Sequence, residues 1–163
     1  MPNESREERC VQYLEGRLAL IQKANGYWND VALIEGGHLT TEELNGAKSP
    51  VFSIAAGQLT TIPEERRAGK DVANFDVTIR ASKKLTQALD KRDLRKETSR
   101  LVRDIVLAYF YGKAGVESDP GMNCNANTSW ISNINRQVDT GLTGWIACEV
   151  TFTVEYMLNW MDP

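Results

Sequence analysis

Ile146-Ala-Cys-Glu-Val-Thr-Phe-Thr-Val-Glu-Tyr-Met-Leu158 alternates almost without interruption. Ile146, Cys148, Val150, Phe152, Val154, Tyr156 and Leu158 face one way, and Glu149, Thr151, Thr153 and Glu155 face the other. That period belongs to a half-buried strand, apolar toward a core and polar on its other side. The arm before it, around Ile131 to Thr140, is polar and asparagine-rich, and Asp139-Thr-Gly-Leu-Thr-Gly144 joins the two. Gly141 and Gly144 can supply the positive φ of a tight turn, so Trp130 to Trp160 reads as one long hairpin.

Working outward, Val72 to Ser82 is a second clean alternation, with Phe75, Val77, Ile79 and Ala81 opposed by Asp76, Thr78, Arg80 and Ser82. Pro50 introduces a strand over Val51 to Ala56, and Tyr27 to Glu35 reads as a further strand broken by Gly36-Gly37. The polar stretch from His38 to Ser49 is assigned to a loop, with Thr40 to Glu43 suited to a short helical turn. Two amphipathic helices flank these strands. The first runs from about Arg6 to Ala24, opened by a Ser5/Glu8 capping box, with Val11, Leu14, Leu18 and Ile21 on one face. The second runs from Leu85 or Thr86 through Tyr111, with Leu94, Leu101, Ile105 and Ala108 at helical spacing and a solvated, charge-laced first half.

The element order is α-β-β-β-α-β-β. Strands with one apolar face need a cover, and two helices with one apolar stripe each provide it. The expectation is a single α+β domain over 1–163: a two-layer sandwich, mostly antiparallel, with both helices on one face of the sheet. The other face then carries Asp76, Thr78, Arg80, Thr151, Thr153 and Glu155, exposed to solvent or to another subunit. Two connections exceed what neighbouring elements require. One is Gly112 to Ser129. The other is Gly57 to Asp71, where Glu64, Glu65, Arg66, Arg67 and Lys70 crowd together as a candidate partner or subunit interface.

Composition narrows the function classes. A charged fraction of 25% and a hydrophobic fraction of 42% are those of a globular domain. The net charge of -3 exerts no overall pull on nucleic acid or an anionic membrane. No apolar run approaches the roughly 20 residues of a membrane span, and Met-Pro-Asn-Glu-Ser-Arg-Glu-Glu is too charged for a signal peptide, so a cytosolic protein is expected. Cys10, Cys124 and Cys148 are odd in number and widely spaced, which points to free thiols.

Several segments together resemble the tail terminator proteins of long-tailed phages, over nearly the whole chain from Arg6 to Leu158. They are Ala24-Asn-Gly-Tyr-Trp-Asn-Asp-Val31, Pro50-Val-Phe52, the alternating strand Phe75 to Ser82, the helical Leu101-Val-Arg-Asp-Ile105, and the closing Phe152-Thr-Val-Glu-Tyr156. The resemblance implies a homohexameric ring in the virion, assembled in the host cytoplasm, that caps the head-proximal end of the tail tube. Its partners would be its own copies, the tail tube protein and the head-tail connector, with DNA free to pass through the ring. No cofactor, metal or catalytic residue is implied. Related neck and head-tail completion proteins share small α+β folds and stand as the alternative, followed by a small-molecule-binding module.

Enzyme and nucleic-acid readings find less in the residues. His38 is the only histidine, and nothing in the sequence sets a cysteine or serine beside it, so a surface loop histidine is expected. No phosphate-binding glycine motif is present. RNA-binding sheets display aromatics on their open face, whereas Phe75, Phe152 and Tyr156 fall in the apolar registers, with Trp145 alone on the polar side.

Overall fold

The computed structural model describes residues 4–67, 70–110, 122 and 126–158, and for residues 63–67 the backbone alone. The fold is α+β. Its elements in chain order are α1 (Arg6–Leu18), β1 (Leu33–Glu35), α2 (Thr41–Gly46), β2 (Val51–Arg67), β3 (Lys70–Lys84), α3 (Lys91–Phe110), β4 (Thr128–Asn135) and β5 (Trp145–Leu158). The strands form one open sheet in the order β1-β2-β3-β5-β4, with β1 parallel to β2 and every other pair antiparallel.

The deciding hairpin is there, and its alternation sets the layers. Val150, Phe152 and Val154 point into the core with Val77, Ile79 and Phe75 of β3, and α1 and α3 close over that face through Leu14, Leu18, Leu101 and Ile105. Leu101, Ile105, Val150 and Phe152 are wholly buried. The Tyr109 ring packs at 4.6 Å on Phe152, and its hydroxyl donates to the Ser129 carbonyl at 2.7 Å, tying α3 to β4. In the 139–144 turn Gly141 and Gly144 take φ of +68° and +81°, as the spacing predicts.

The structure corrects several expectations, each for a local reason. α1 stops at Leu18, six residues short of Ala24, because the Leu20 and Ile21 amides turn to carbonyls three residues back. The expected strand from Tyr27 shrinks to β1 alone, since the Trp28 and Asn29 amides are taken by the Asp104 carboxylate instead of a neighbouring strand. α3 begins at Lys91, where the Asp90 side chain accepts from the Asp93 amide and caps the helix. Its expected end at Tyr111 and most of the 112–127 connection lie outside the described residues.

The largest correction is between β2 and β3. Residues 57–67 continue β2 and Lys70 and Asp71 begin β3, with Leu59 paired to Phe75 and Ile62 to Val72. Gly57 is a β-bulge, with the pairing shifting between Ala56 and Leu59, and a Cβ there would sit 3.1 Å from the Asp76 carbonyl oxygen. A glycine that reads as a stop is thus a bend in a longer strand.

A third helix also changes the layering. Thr40 and Glu43 make a reciprocal capping box that starts α2 in the expected loop. α2 lies over the outer face at the end of the sheet where β5 begins. There Leu44 packs with Val51 and Trp145, so Trp145, on the polar side by its register, is buried on the outer face. The observed order is therefore α-β-α-β-β-α-β-β, with α1 and α3 on one face and α2 on part of the other.

Candidate functional site

Beyond α2 the outer face of the sheet is polar and paired with itself. Arg80 Nε donates to Glu149 at 2.8 Å, the Thr78 and Thr151 hydroxyls meet at 3.1 Å, and the Thr153 hydroxyl donates to Asp76 at 2.7 Å. These are cross-strand partners in the β3–β5 register, so the alternation itself builds the ladder. Trp130 stands opposite Thr153 on β4 and projects on the same face, 41% exposed. Sequence reading passed over it because β4 is too polar and too short to show a period.

β4 is one edge of the sheet, and the three-residue β1 is the other. The outer backbone of β4 has no strand beside it among the described residues, and Ile134 is also exposed, at 40%. A free edge carrying large apolar side chains is a surface ready for pairing with another chain. The irregularity between Ile131 and Asn133 breaks its regularity and so limits indiscriminate pairing.

The charged candidates Glu64, Glu65, Arg66 and Arg67 occupy the last residues of β2, where Arg67 pairs with Lys70; their side chains lie outside the described residues. Lys70 opens β3 and is exposed. β5 ends at Leu158 opposite Asp71, so this tip of the β2–β3 hairpin extends past the end of β5. The five residues therefore lie at the ends of β2 and β3, where the sequence reading expects a loop.

Two of the segments quoted above meet at a buried carboxylate. Asp104, from Leu101–Ile105 on α3, is fully buried and accepts from the Trp28 and Asn29 amides, each at 2.9 Å, and from the Asn29 side chain at 2.8 Å. Burial pushes its pKa up, against the pull of those donors and of Lys83. Lys83 Nζ donates to the Asn29 side-chain oxygen and to Glu97, both at 2.8 Å. Arg100 pairs with Glu97 and lies 4.6 Å over the half-exposed Trp28 ring. This cluster locks the 27–31 segment onto α3. Every polar group in it serves another, which makes it an architectural joint.

His38 is not the surface histidine expected. It is half-buried, with Nδ1 3.0 Å from the Ser53 hydroxyl, and burial, together with Arg80, lowers its pKa. The pair adjoins a small cavity of about 180 Å³ lined by Ser53, Arg80, Ser82 and Thr140. Ser53 is itself buried and Arg80 is engaged by Glu149, so the arrangement satisfies polar groups beneath α2. Cys10 and Cys148 are buried, and burial raises their pKa values to about 11 and about 12; Cys124 lies outside the described residues. Among the described residues no three His, Cys, Asp or Glu side chains gather as metal ligands. No helix among them is long and apolar enough to cross a membrane.

No known family matches the sequence, and no curated protein matches it.

Proposed function

We propose that this chain is a phage tail terminator: a structural subunit that closes into a homohexameric ring on the head-proximal end of the tail tube, halts tube growth and offers its other side to the head-tail connector. The observation that carries the reading is the sheet edge at β4, unpaired among the described residues, with Trp130 exposed on the polar outer face and Ile134 exposed on the other. A monomer gains nothing from that edge, whereas a ring buries it. The hairpin tip at Arg67 and Lys70, extending past β5, supplies a second contact, suited to the tube or to a neighbouring copy. The joint at Asp104 adds support, because it makes the quoted segments 24–31 and 101–105 parts of one rigid unit.

The test is assembly with and without tube protein. Light scattering and negative-stain images over a concentration series should give closed rings of six copies, and adding them to polymerising tail tube protein should shorten the tubes. A strict monomer, an open fibre, or tubes of unchanged length would overturn the proposal.

A further inference from the structure

Residues 91–103 of α3 hold six cations, Lys91, Arg92, Arg95, Lys96, Arg100 and Arg103, against two carboxylates, in a chain whose net charge is -3. At 3.6 residues per turn, Arg92, Arg95, Lys96, Ser99, Arg100 and Arg103 fall within about 140° of the helix circumference. Asp93 and Glu97 fall outside that arc, and Leu101 and Ile105 lie opposite it in the core. Both carboxylates are already engaged within the subunit: Asp93 by Lys96 at 3.2 Å, and Glu97 by Lys83 and Arg100. Arg92, Arg95 and Arg103 are exposed and have no ion-pair partner among the described residues. Lys91 and Arg92 also sit in the first turn of α3, where the helix dipole opposes cations. A subunit on its own gains nothing from such a stripe, whose self-repulsion points to an anion outside the chain.

Arg95 borders two hollows. One is a groove of about 1060 Å³ between α3 and the start of β5, which also takes in Arg92 and Arg136. The other is a depression of about 290 Å³ that Arg95 shares with Lys96, Ser99, Arg100, Arg103 and Trp28. The Trp28 ring is half-exposed, and the Arg100 guanidinium lies 4.6 Å from its centre. The ring is fixed from beneath, because the Trp28 amide donates to the buried Asp104 carboxylate at 2.9 Å. An apolar plate is thus held at the surface beside a cationic rail.

The plate and the rail together separate the polyanions that could dock here. An acidic peptide offers carboxylates without flat rings, whereas nucleic acid brings a phosphate about every 3.4 Å of each strand and bases that stack. From Arg92 to Arg103 the stripe runs about 16 Å, the rise of about five nucleotides of one strand. We infer that this face of α3 binds nucleic acid through its sugar–phosphate backbone, without regard to sequence. Arg92, Arg95 and Arg103 pair with phosphates along one strand, and Trp28 with Arg100 offers a stacking plate to an unpaired base. The contact uses one subunit's own residues and requires no ring.

Fluorescence anisotropy on the full-length protein tests it, with a labelled single strand of about 20 nucleotides and the matching duplex, both of mixed sequence. Binding should saturate and, for three neutralised phosphates, weaken about 20- to 40-fold between about 50 and 200 mM salt. Arg92→Gln/Arg95→Gln/Arg103→Gln should lower both affinities about tenfold or more at the lower salt. Its melting temperature should stay that of the wild type, since none of the three arginines has a partner in the subunit. Trp28→Ala should weaken the single strand more than the duplex, whose bases are already stacked. Lys48→Gln/Lys70→Gln, which removes two exposed cations outside α3, should change neither affinity. No saturable binding of either ligand, undiminished binding by the triple-arginine variant, or equal competition by poly-glutamate or phosphatidylserine vesicles overturns the inference. Equal losses of single strand and duplex on Trp28→Ala overturn the stacking role. Rings that cap tubes without affinity for either ligand overturn the inference and leave the terminator reading standing. Binding by a protein that never caps tubes supports it and removes the terminator reading instead.

Discussion

Asp104 is the residue on which the most backbone depends, because three N–H donors converge on its two oxygens. Asp104→Ala leaves those donors buried without an acceptor and should cost about 3 to 5 kcal/mol in urea unfolding. The pH dependence of this cluster has two opposed parts. Glu97 is half-buried, which raises its pKa, but Lys83 and Arg100 outweigh that and leave it below the usual 4.5. Its contribution is present above pH 4.5 and is lost as pH falls through the lowered value in the folded protein. Asp104 is raised, so the folded state takes up its proton first and gains stability as pH falls from that raised value toward the usual 3.8. Glu97→Gln should therefore flatten the acid-side loss below pH 4.5, and an unchanged slope would remove Glu97 from the account. Phe152→Ala, at the centre of the core, should cost about 3 to 5 kcal/mol, and near-native thermal stability would contradict the register. In a Cys124→Ser background, Cys10 and Cys148 should resist thiol labelling at pH 8 until the protein unfolds, since burial holds both pKa values at about 11 or above.

Among the elements, strands with one buried face were legible and strands that leave the core were not. The β5 alternation, the β3 alternation and the stripe of α3 each carry a period enforced by the same core, so sequence and structure agree there. The outer half of the β2–β3 hairpin has no such period, and Gly57 with its charged neighbours imitates a loop. β1 was overread because its apolar run continues into residues whose amides serve Asp104, a partner 75 positions away. α2 was half-legible, since Thr40 and Glu43 spell a capping box but six residues cannot show a helical stripe. The exposed edge at Trp130 had no sequence signal of its own; it follows from the strand order. The corrected hairpin separates two variants that a loop would make equivalent. Arg66→Glu/Arg67→Glu should keep the monomer's melting temperature and block ring closure or tube capping, whereas deleting 57–71 should unfold the protein, because Val72 and Phe75 lose their partners on β2. Normal capping by the charge variant would return the tip to a solvated role.

At the scale of the whole molecule, the polar outer face bears on how strongly copies can hold each other. Arg80 and Glu149, Thr78 and Thr151, and Asp76 and Thr153 already satisfy one another within a subunit. A neighbour laid over that ladder exchanges good hydrogen bonds for similar ones and gains little. On the ring reading, affinity must then come from the exposed apolar side chains at the β4 edge and from steering between exposed charges, among them Arg92 and Arg95 on α3. Salt divides these two contributions. Raising ionic strength from 0.1 to 1 M shortens the screening length from about 10 Å to about 3 Å, which removes steering between exposed charges and leaves apolar burial intact or slightly stronger. Sedimentation velocity across that range should show rings at low salt giving way to monomers at equal protein concentration, with the circular dichroism spectrum unchanged. Rings of constant stability would mean that edge burial around Trp130 and Ile134 dominates and that exposed charges contribute nothing measurable to closure. Loss of the folded spectrum together with the rings would mean that salt acts on the half-buried Lys83–Glu97–Arg100 cluster, and the interface would have to be sought elsewhere.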